Sequence, residues 1–354
     1  MAAKKTTITD IATAAGVSKT TVSRYINGKY DLLSESARTR VEKAIQLANY
    51  RPSAVARSLK TQRSYLVGVI VANITTPFAT SLLNGISQGL REGNYVPMFA
   101  DAADSPETER TLIESLVSHQ VDGLIVNTTC AENTELINLA NSGTPVVLCD
   151  RYVNDYRFDI AVCDYRKPTQ QLMEHLREQG FARAVLFTQE WHDNSPRATR
   201  YEAFCKADRS LFEADDPDLD VYLVDPWHPE TTLDACRRMV AESPTGKPIA
   251  VYATNTVTLI SAYNALRELG IGSHEGSEPY VGLCGPDDWG WAHRMGWDWP
   301  SSLCNGVTTF ATNPYEMGYE SAKLMLERIA NPTGKKQARL IPTQLMVRAS
   351  TQLR

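Results

Sequence analysis

The chain has 354 residues, 43% of them hydrophobic, and a formal net charge of −5, enough material for two or three domains with sizeable cores. It contains no run of about 18 apolar residues, which excludes a membrane-spanning helix. The seven cysteines stand singly without metal-ligand spacing, so neither a metal site nor a cofactor is expected. Their odd number and the lack of a signal peptide favour a reducing cytosol.

The charge is divided unevenly along the chain. Residues 1–63 contain twelve Lys or Arg and four Asp or Glu, a net charge of +8, whereas the remainder carries −13. A small basic module joined to an acidic body is typical of proteins that bind nucleic acids. A solvated surface of chance composition is the alternative, and the motif within the same segment argues against it.

The first predicted elements are two short helices joined by a tight turn. Thr9 is expected to cap the first helix, with Ile11 and Ala15 on its inner side. Gly16 permits the sharp turn, and Ser18 can cap the second helix by accepting a hydrogen bond from its first turn. The pattern predicts a helix-turn-helix whose second helix enters a DNA major groove.

A third helix is predicted to begin near Ser34 and to end before Pro52, because proline disfavours a helical residue before it. Residues 54–59 follow and are too few to form a stable isolated helix. We interpret them as a hinge helix that forms only when DNA or a dimer partner holds it.

From residue 64 the pattern changes to alternating strands and helices. Residues 65–72 are continuously apolar, as in a strand buried on both faces. Further strands are predicted at 96–100, 121–127, 145–149, 160–163, 184–187, 221–224, 249–253, 280–284, 339–341 and 344–347. Helices are predicted at 78–92, 106–118, 168–179, 197–207, 230–242, 256–269 and 314–329.

The strands and helices alternate in two series of similar length. This pattern predicts an α/β fold, in which a small all-α head is followed by a body with two lobes of doubly wound parallel sheets. A ligand is expected outside the carboxyl ends of the strands, in a closable cleft between the lobes. The predicted division is a head at 1–52, a hinge helix and linker at 53–63 and a body at 64–354. Within the body, the first lobe spans about 64–158 plus 288–312, and the second about 159–287 plus 313–354.

Four motifs make the chain resemble the lac-repressor/galactose-repressor family of bacterial transcription factors over essentially its full length. They are Val-Ser-Lys-Thr-Thr-Val-Ser-Arg-Tyr-Ile-Asn-Gly at 17–28, Tyr-Arg-Pro-Ser-Ala-Val-Ala-Arg-Ser-Leu at 50–59, Val-Asp-Gly-Leu-Ile-Val at 121–126 and Gly-Val-Thr-Thr at 306–309. The resemblance implies a DNA-binding head, a periplasmic sugar-binding type of body and a repressor switched by a small effector. The body also resembles the family branch that controls the use of ketogluconate and related sugar acids.

The second helix supplies the expected contacts to DNA. Lys19 and Thr20 lie at its start, where side chains face base edges, and Arg24 can contact a base or a phosphate. Short polar side chains suited to phosphate contacts are expected at Thr7, Ser18, Thr21, Ser23 and Asn27.

The hinge segment adds further contacts. The resemblance implies that Leu59 wedges into the minor groove and kinks the duplex, with the small Ala56 beside it. Packing of Leu59 against the body is the alternative. Lys60 is expected to bind DNA of any sequence roughly equally.

The effector candidates are polar, basic and aromatic residues near predicted strand ends. Asp and Asn can bond vicinal hydroxyls, an aromatic ring can stack on a sugar face, and Arg binds anions bidentately. The candidates are Asn73, Phe78, Asp101, Asn127, Arg151, Arg197, Arg200, Trp227, Asn255 and Asp287.

The resemblance implies that Arg200 clamps the effector and that Asp287 accepts hydrogen bonds from sugar hydroxyls. This chain departs from the family at Thr256, where an acid is usual, and at Pro286, where an aromatic is usual. Three arginines favour a sugar acid over a neutral sugar, and a salt bridge within a lobe is the alternative role for each arginine.

Two other classes of function compete with this interpretation. An enzyme is disfavoured because the six histidines are scattered and no GxSxG, Walker loop or HExxH motif occurs. A transport-type sugar-binding protein would fit the body but not the basic head. We therefore predict a cytoplasmic homodimeric repressor on a pseudo-palindromic operator, because the heptad helix of the family's tetramers does not follow Val347.

Overall fold

The computed structural model describes residues 6–50, 61–272, 279–288 and 299–353. The predicted hinge segment, with Ala56, Leu59 and Lys60, lies outside these residues. The chain forms two compact units, Met1–Tyr65 and Leu66–Arg354, which are the head and the body.

Three helices form the described head: α1 (Ile8–Ala15), α2 (Lys19–Ile26) and α3 (Glu35–Leu47). Each contributes small or branched apolar side chains to one buried cluster, as the helix-turn-helix prediction requires. The cluster consists of Ile11, Ala12, Ala15, Val22, Val41 and Ala44.

The cap of α1 differs from the prediction. Thr7 Oγ1 accepts from the backbone N–H of Asp10 at 3.3 Å, and Asp10 Oδ2 accepts from the backbone N–H of Thr7 at 2.8 Å. This reciprocal capping box satisfies two free amides at once. The helix therefore begins at Ile8, and the expected cap at Thr9 is wrong.

The turn and the second cap follow the prediction. Gly16 ends α1 with φ +61°, a left-handed conformation that costs a glycine little. Ser18 Oγ accepts from the backbone N–H of Thr21 at 3.1 Å and so caps α2.

The first lobe of the body is built on a six-stranded parallel sheet covered by helices. Its strands are β1 (Leu66–Val71), β2 (Val96–Asp101), β3 (Leu124–Val126), β4 (Val146–Cys149), β5 (Asp159–Cys163) and β11 (Ala338–Ile341). Their spatial order is β11-β5-β4-β3-β1-β2. Its helices are α4 (Pro77–Glu92), α5 (Pro106–Ser118), α6 (Thr134–Asn141) and α12 (Pro314–Ala330).

The second lobe repeats this architecture around its own buried apolar core. Its strands are β6 (Arg183–Thr188), β7 (Val221–Leu223), β8 (Ile249–Ala253), β9 (Val281–Asp288), β10 (Thr308–Ala311) and β12 (Gln344–Met346). The order is β12-β10-β9-β8-β6-β7, and only β12 is antiparallel to its neighbour among these described strands. Its helices are α7 (Arg166–Gln179), α8 (Ser195–Ala207), α9 (Pro229–Glu242), α10 (Thr256–Glu268) and α11 (Trp299–Ser302).

The chain passes between the lobes three times, and this changes the predicted division of the body. It crosses after β5, after β10 and between β11 and β12. Strands β5 and β11 thus belong to the first lobe and β10 to the second, contrary to the predicted boundaries. Helix α12, predicted for the second lobe, packs on α4 of the first.

Two glycines allow α4 and α12 to approach so closely. A Cβ atom on Gly85 would lie 1.9 Å from the carbonyl oxygen of Tyr315, and one on Gly318 would lie 2.1 Å from that of Leu82. The C-terminal helix is thereby held on the first lobe, although it follows a strand of the second.

Candidate functional site

Helix α2 presents a polar face on the surface of the head. Val22 packs into the core, whereas Lys19, Thr20 and Arg24 are exposed. The first turn contains no acidic residue, so a basic and hydroxyl-bearing face is presented at the helix start. This is the arrangement that a major-groove recognition helix needs.

The smaller polar candidates serve local structure as well. Ser18 and Thr21 share a hydrogen bond between their hydroxyls at 2.9 Å. The side-chain amide of Asn27 donates to the carbonyl of Ser23 at 2.7 Å, and the Thr7 hydroxyl donates to Asp10 at 2.7 Å. These bonds fix the ends of the helices, and the predicted phosphate contacts of these residues remain predictions.

A cleft between the two lobes of the body collects the polar residues that follow the strands. Nine of the ten predicted effector residues line it: Asn73, Phe78, Asn127, Arg151, Arg197, Arg200, Trp227, Asn255 and Asp287. Parallel strands end at the same edge of a sheet, so residues distant in sequence meet there.

Asp101 does not line the cleft, contrary to the prediction. Its Oδ1 accepts from the backbone N–H groups of Ile74 at 3.0 Å and Ala103 at 3.2 Å. The carboxylate thus shapes the neighbouring loops. Asp104 lines the cleft instead, and its Oδ2 accepts from the side-chain amide of Asn73 at 2.8 Å.

Asn127 connects three strand ends of the first lobe. Its Oδ1 accepts from the backbone N–H of Ala72 at 3.4 Å, and its Nδ2 donates to the carbonyl of Cys149 at 3.0 Å. The side chain therefore holds the rim of the cleft in register.

On the second lobe, two polar residues are oriented by short networks. Asp287 Oδ2 accepts from the backbone N–H of Thr256 at 3.0 Å and from its hydroxyl at 2.7 Å. Asn255 donates to Gln189 Oε1 at 2.8 Å while it caps α10. Thr256 stands at the position where the resemblance implies an acid. Here it orients the carboxylate of Asp287 through these two hydrogen bonds.

The three arginines of the cleft form no salt bridge with any described carboxylate within 4.0 Å. Arg200 is buried, its guanidinium carbon lies 4.0 Å from the ring centroid of Tyr165, and its Nε finds no hydrogen-bond partner in the described part of the chain. Arg151 donates to the carbonyl of Thr128 at 2.9 Å. Among the described residues, these arginines therefore do not form the intra-lobe salt bridges that were their alternative role.

Burial changes the acid–base behaviour of the cleft. It raises the pKa of Asp150, which accepts a hydrogen bond from the Tyr165 hydroxyl. It lowers the pKa of Arg197 to about 10, and the positive charge of Arg151 acts in the same direction. Desolvated charges in one cleft are a frequent property of functional sites.

Sequence reasoning missed several residues of the lining as ligand candidates. They are Thr76, Asp104, Tyr165, Gln189, Asn194 and Thr256. Gln189 follows β6 directly, so the strand-end rule could have found it. Tyr165 lies where the chain crosses between lobes, and no strand pattern marks such a crossing.

Among the residues that the structure describes, no three His, Cys, Asp or Glu side chains are grouped so as to hold a metal ion. No helix within those ranges is long and apolar enough to cross a membrane.

A helix-turn-helix head and a two-lobed α/β body with a polar cleft together define a ligand-responsive DNA-binding regulator. Residues 7–53 match the family described as "Bacterial regulatory proteins, lacI family". Residues 64–349 match "Periplasmic binding proteins and sugar binding domain of LacI family". The chain belongs to the LacI family of bacterial transcriptional regulators, which confirms the predicted family and fold class.

Individual relatives agree with this assignment. The chain is 31% identical over 345 residues to the HTH-type transcriptional regulator KdgR of Bacillus subtilis, covering 98% of this chain and 97% of the relative. It is 31% identical over 347 residues to the HTH-type transcriptional regulator PtxS of Pseudomonas aeruginosa, covering 98% and 96%. The Lac repressor dimer bound to operator and the anti-inducer ONPF has a similar fold, with a TM-score of 0.81 at 21% identity over 99% of this chain and all of that one.

Proposed function

We propose that the chain is a repressor whose operator affinity is switched by a sugar acid bound between the lobes. The observation that carries this proposal is the set of three cleft arginines without a carboxylate partner in the described residues. The acids that line the cleft, Asp104, Asp150 and Asp287, act on Arg197 and Arg200 from beyond salt-bridge distance, so the positive charge of the cleft is incompletely compensated. An acidic ligand supplies negative charge and accepts bidentate hydrogen bonds.

The remainder of the cleft is suited to a polyhydroxylated ligand. Trp227 lines it with 65% of its surface exposed, which leaves a ring face for stacking on the apolar side of a sugar. Asn73 and Asp287 are available at opposite lobes to bond hydroxyls. This combination of aromatic, amide and carboxylate groups supports a sugar skeleton as the carrier of the acid.

The DNA-binding half of the proposal rests on the exposed face of α2. Lys19, Thr20 and Arg24 would contact one half-site, and two heads of a homodimer would bind a pseudo-palindromic operator in the cytosol. The effector acts through its different affinity for the DNA-binding and the released states.

Calorimetry on the full chain tests the proposed ligand class. The panel is gluconate, 2-ketogluconate, 2-keto-3-deoxygluconate, glucose and galactose. We expect at least one acid to bind about tenfold or more tightly than either hexose, because charge-assisted hydrogen bonds contribute roughly 1.5–3 kcal/mol. The same acid should change operator affinity in a fluorescence anisotropy titration, and tight binding of a neutral hexose alone would refute the sugar-acid assignment.

A further inference from the structure

Two of the cleft arginines come from opposite lobes and lie at the same edge. Arg151 follows β4 of the first lobe, and Arg197 lies in the first turn of α8 in the second. Their neighbours join the lobes directly, because the backbone N–H of Tyr152 donates to Ser195 Oγ at 3.1 Å. The cleft is therefore flanked by one guanidinium from each lobe where the lobes meet.

Both guanidinium groups are oriented by neutral acceptors. Arg197 donates from Nη1 to the carbonyl of Glu190 at 3.0 Å and from Nη2 to Gln189 Oε1 at 2.9 Å. Arg151 donates from Nη1 to the carbonyl of Thr128, and its buried Nε has no partner among the described residues. These hydrogen bonds fix the orientation of the two guanidinium groups without neutralising their positive charges.

The position of Arg151 is reinforced from behind by a buried carboxylate. Glu109 on α5, only 1% exposed, accepts from the Thr128 hydroxyl at 2.8 Å and from the side-chain amide of Asn133 at 2.7 Å. It also accepts from the backbone N–H of Thr129 at 2.5 Å. Three hydrogen bonds thus fix the loop whose carbonyl holds Arg151.

Like charges on facing lobes oppose closure of the cleft. Coulomb repulsion between two guanidinium groups strengthens as water leaves the space between them. Asp104 and Asp150 are nearby acids on the first lobe. The Asp104 carboxylate already accepts from Asn73, and that of Asp150 accepts from the Tyr165 hydroxyl. An oxyanion placed between the two arginines would convert this repulsion into two attractions.

We propose that the anionic group of the effector bridges Arg151 of the first lobe and Arg197 of the second, so that closure depends on the ligand's negative charge. This inference rests on the proposed function, which places an acid in the cleft without assigning its charged group to particular arginines. Arg200 then remains available for the sugar skeleton beside Tyr165.

A matched pair of ligands isolates the charge. Gluconate and gluconamide share a skeleton and differ in the charge of one group. Glucose 6-phosphate and glucose form a second pair, which tests whether a phosphate group supplies the negative charge. Affinities are measured by calorimetry on the full-length wild type and on Arg151→Gln and Arg197→Gln. The control is Arg237→Gln, which removes an exposed charge on α9 that pairs with Asp234 at 2.7 Å outside the cleft.

We expect the wild type and the control to prefer gluconate over gluconamide by about tenfold or more. In Arg151→Gln and in Arg197→Gln this preference should fall towards one, while gluconamide affinity changes little. Arg151→Lys and Arg197→Lys keep the charge and should retain part of the preference. X-ray scattering should show a smaller radius of gyration with gluconate than with gluconamide.

The outcomes separate the bridge from the function on which it rests. A charge preference that survives in either glutamine variant overturns the bridge and leaves the sugar-acid assignment intact. A preference confined to the phosphate pair keeps the bridge and overturns the sugar acid. Binding of glucose with no preference for any anion overturns both.

Discussion

At the scale of single residues, Asp208 is a buried acid outside the cleft. It begins a short π-helical turn, Asp208–Phe212, that continues α8. Asp208 is 1% exposed, and neither of its carboxylate oxygens has a hydrogen-bond partner among the described residues. Burial and the neighbouring carboxylate of Asp220, which is paired with Arg183, raise the pKa of Asp208 to about 7. The fold therefore favours the neutral carboxyl.

The burial of Asp208 predicts that the protein loses stability as the pH rises from 4 to 7. The unfolded chain releases the Asp208 proton near its ordinary pKa of 3.8, whereas the folded chain keeps it to about pH 7. Because the folded state binds more protons in this window, this residue makes the free energy of unfolding fall as pH rises. Asp208→Asn should remove that contribution and stabilise the protein at pH 8 by up to about 4 kcal/mol, since each pKa unit corresponds to about 1.4 kcal/mol, as measured by urea denaturation.

The same variant should be close to the wild type at pH 4, where the native carboxyl is neutral. Asp215→Asn, which removes an exposed acid of the following loop, is the control and should leave the difference between pH 4 and pH 8 unchanged. Parallel pH profiles for the wild type and Asp208→Asn would show that Asp208 is ionised in the folded protein.

At the scale of elements, α2 joins a buried face to a face available for DNA. Its anchor is Val22, which is buried in the core of the head, whereas Lys19 lies exposed in the first turn. A lysine there can donate to guanine acceptors, and a specific base contact contributes roughly 1–3 kcal/mol of discrimination. We expect Lys19→Ala to relax the choice of operator by about that amount, measured by binding selection from a randomised half-site library.

Lys43→Ala provides the control, because it removes an exposed charge from α3 of the same head. It should alter affinity for all sequences similarly and leave the preferred site unchanged, since a general electrostatic contribution carries no base information. An unchanged preferred site in Lys19→Ala would mean that another face of the head contacts the bases.

Most elements of the body were predictable because their hydrophobic periods are strong. Helix Pro106–Ser118 was predicted at its observed bounds. Helix Thr134–Asn141 and strand Thr308–Ala311 were not predicted as elements, since short segments give a weak pattern. The sequence did not predict to which of the two sheets a strand belongs, because a buried strand has the same apolar pattern in either lobe.

Prediction of the candidate site from the sequence was limited in a similar way. The strand-end rule found nine lining residues because sheet topology brings strand ends together. It failed at Asp101, whose carboxylate is used by local amides, and it missed Tyr165 at a crossover. Whether a cleft arginine has an ion-pair partner among the described residues depends on distances between side chains, which spacing in a sequence does not encode.

At the scale of the whole molecule, exposed apolar edges indicate how two copies would associate. Strand β2 ends the sheet of the first lobe and contains Pro97, a residue suited to an edge. Val96 and Phe99 on this strand are 59% and 45% exposed. Leu223 on β7 gives the second lobe a similar edge. Pro97 limits backbone pairing along the edge formed by β2, whereas exposed apolar side chains on these edge strands can pack against another chain, and the proposed homodimer would cover them.

Phe99→Lys tests this mode of association. A charge buried without a partner in an apolar interface is unfavourable, so we expect the variant to shift from dimer to monomer in sedimentation at micromolar concentration. Because a monomer engages only one half-site, its operator affinity should fall by about 10²-fold or more. Leu340→Lys is the control, since Leu340 is 66% exposed on β11 at the opposite edge of the same sheet. A Phe99→Lys protein that remains dimeric, or a Leu340→Lys protein that dissociates, would place the interface on another face.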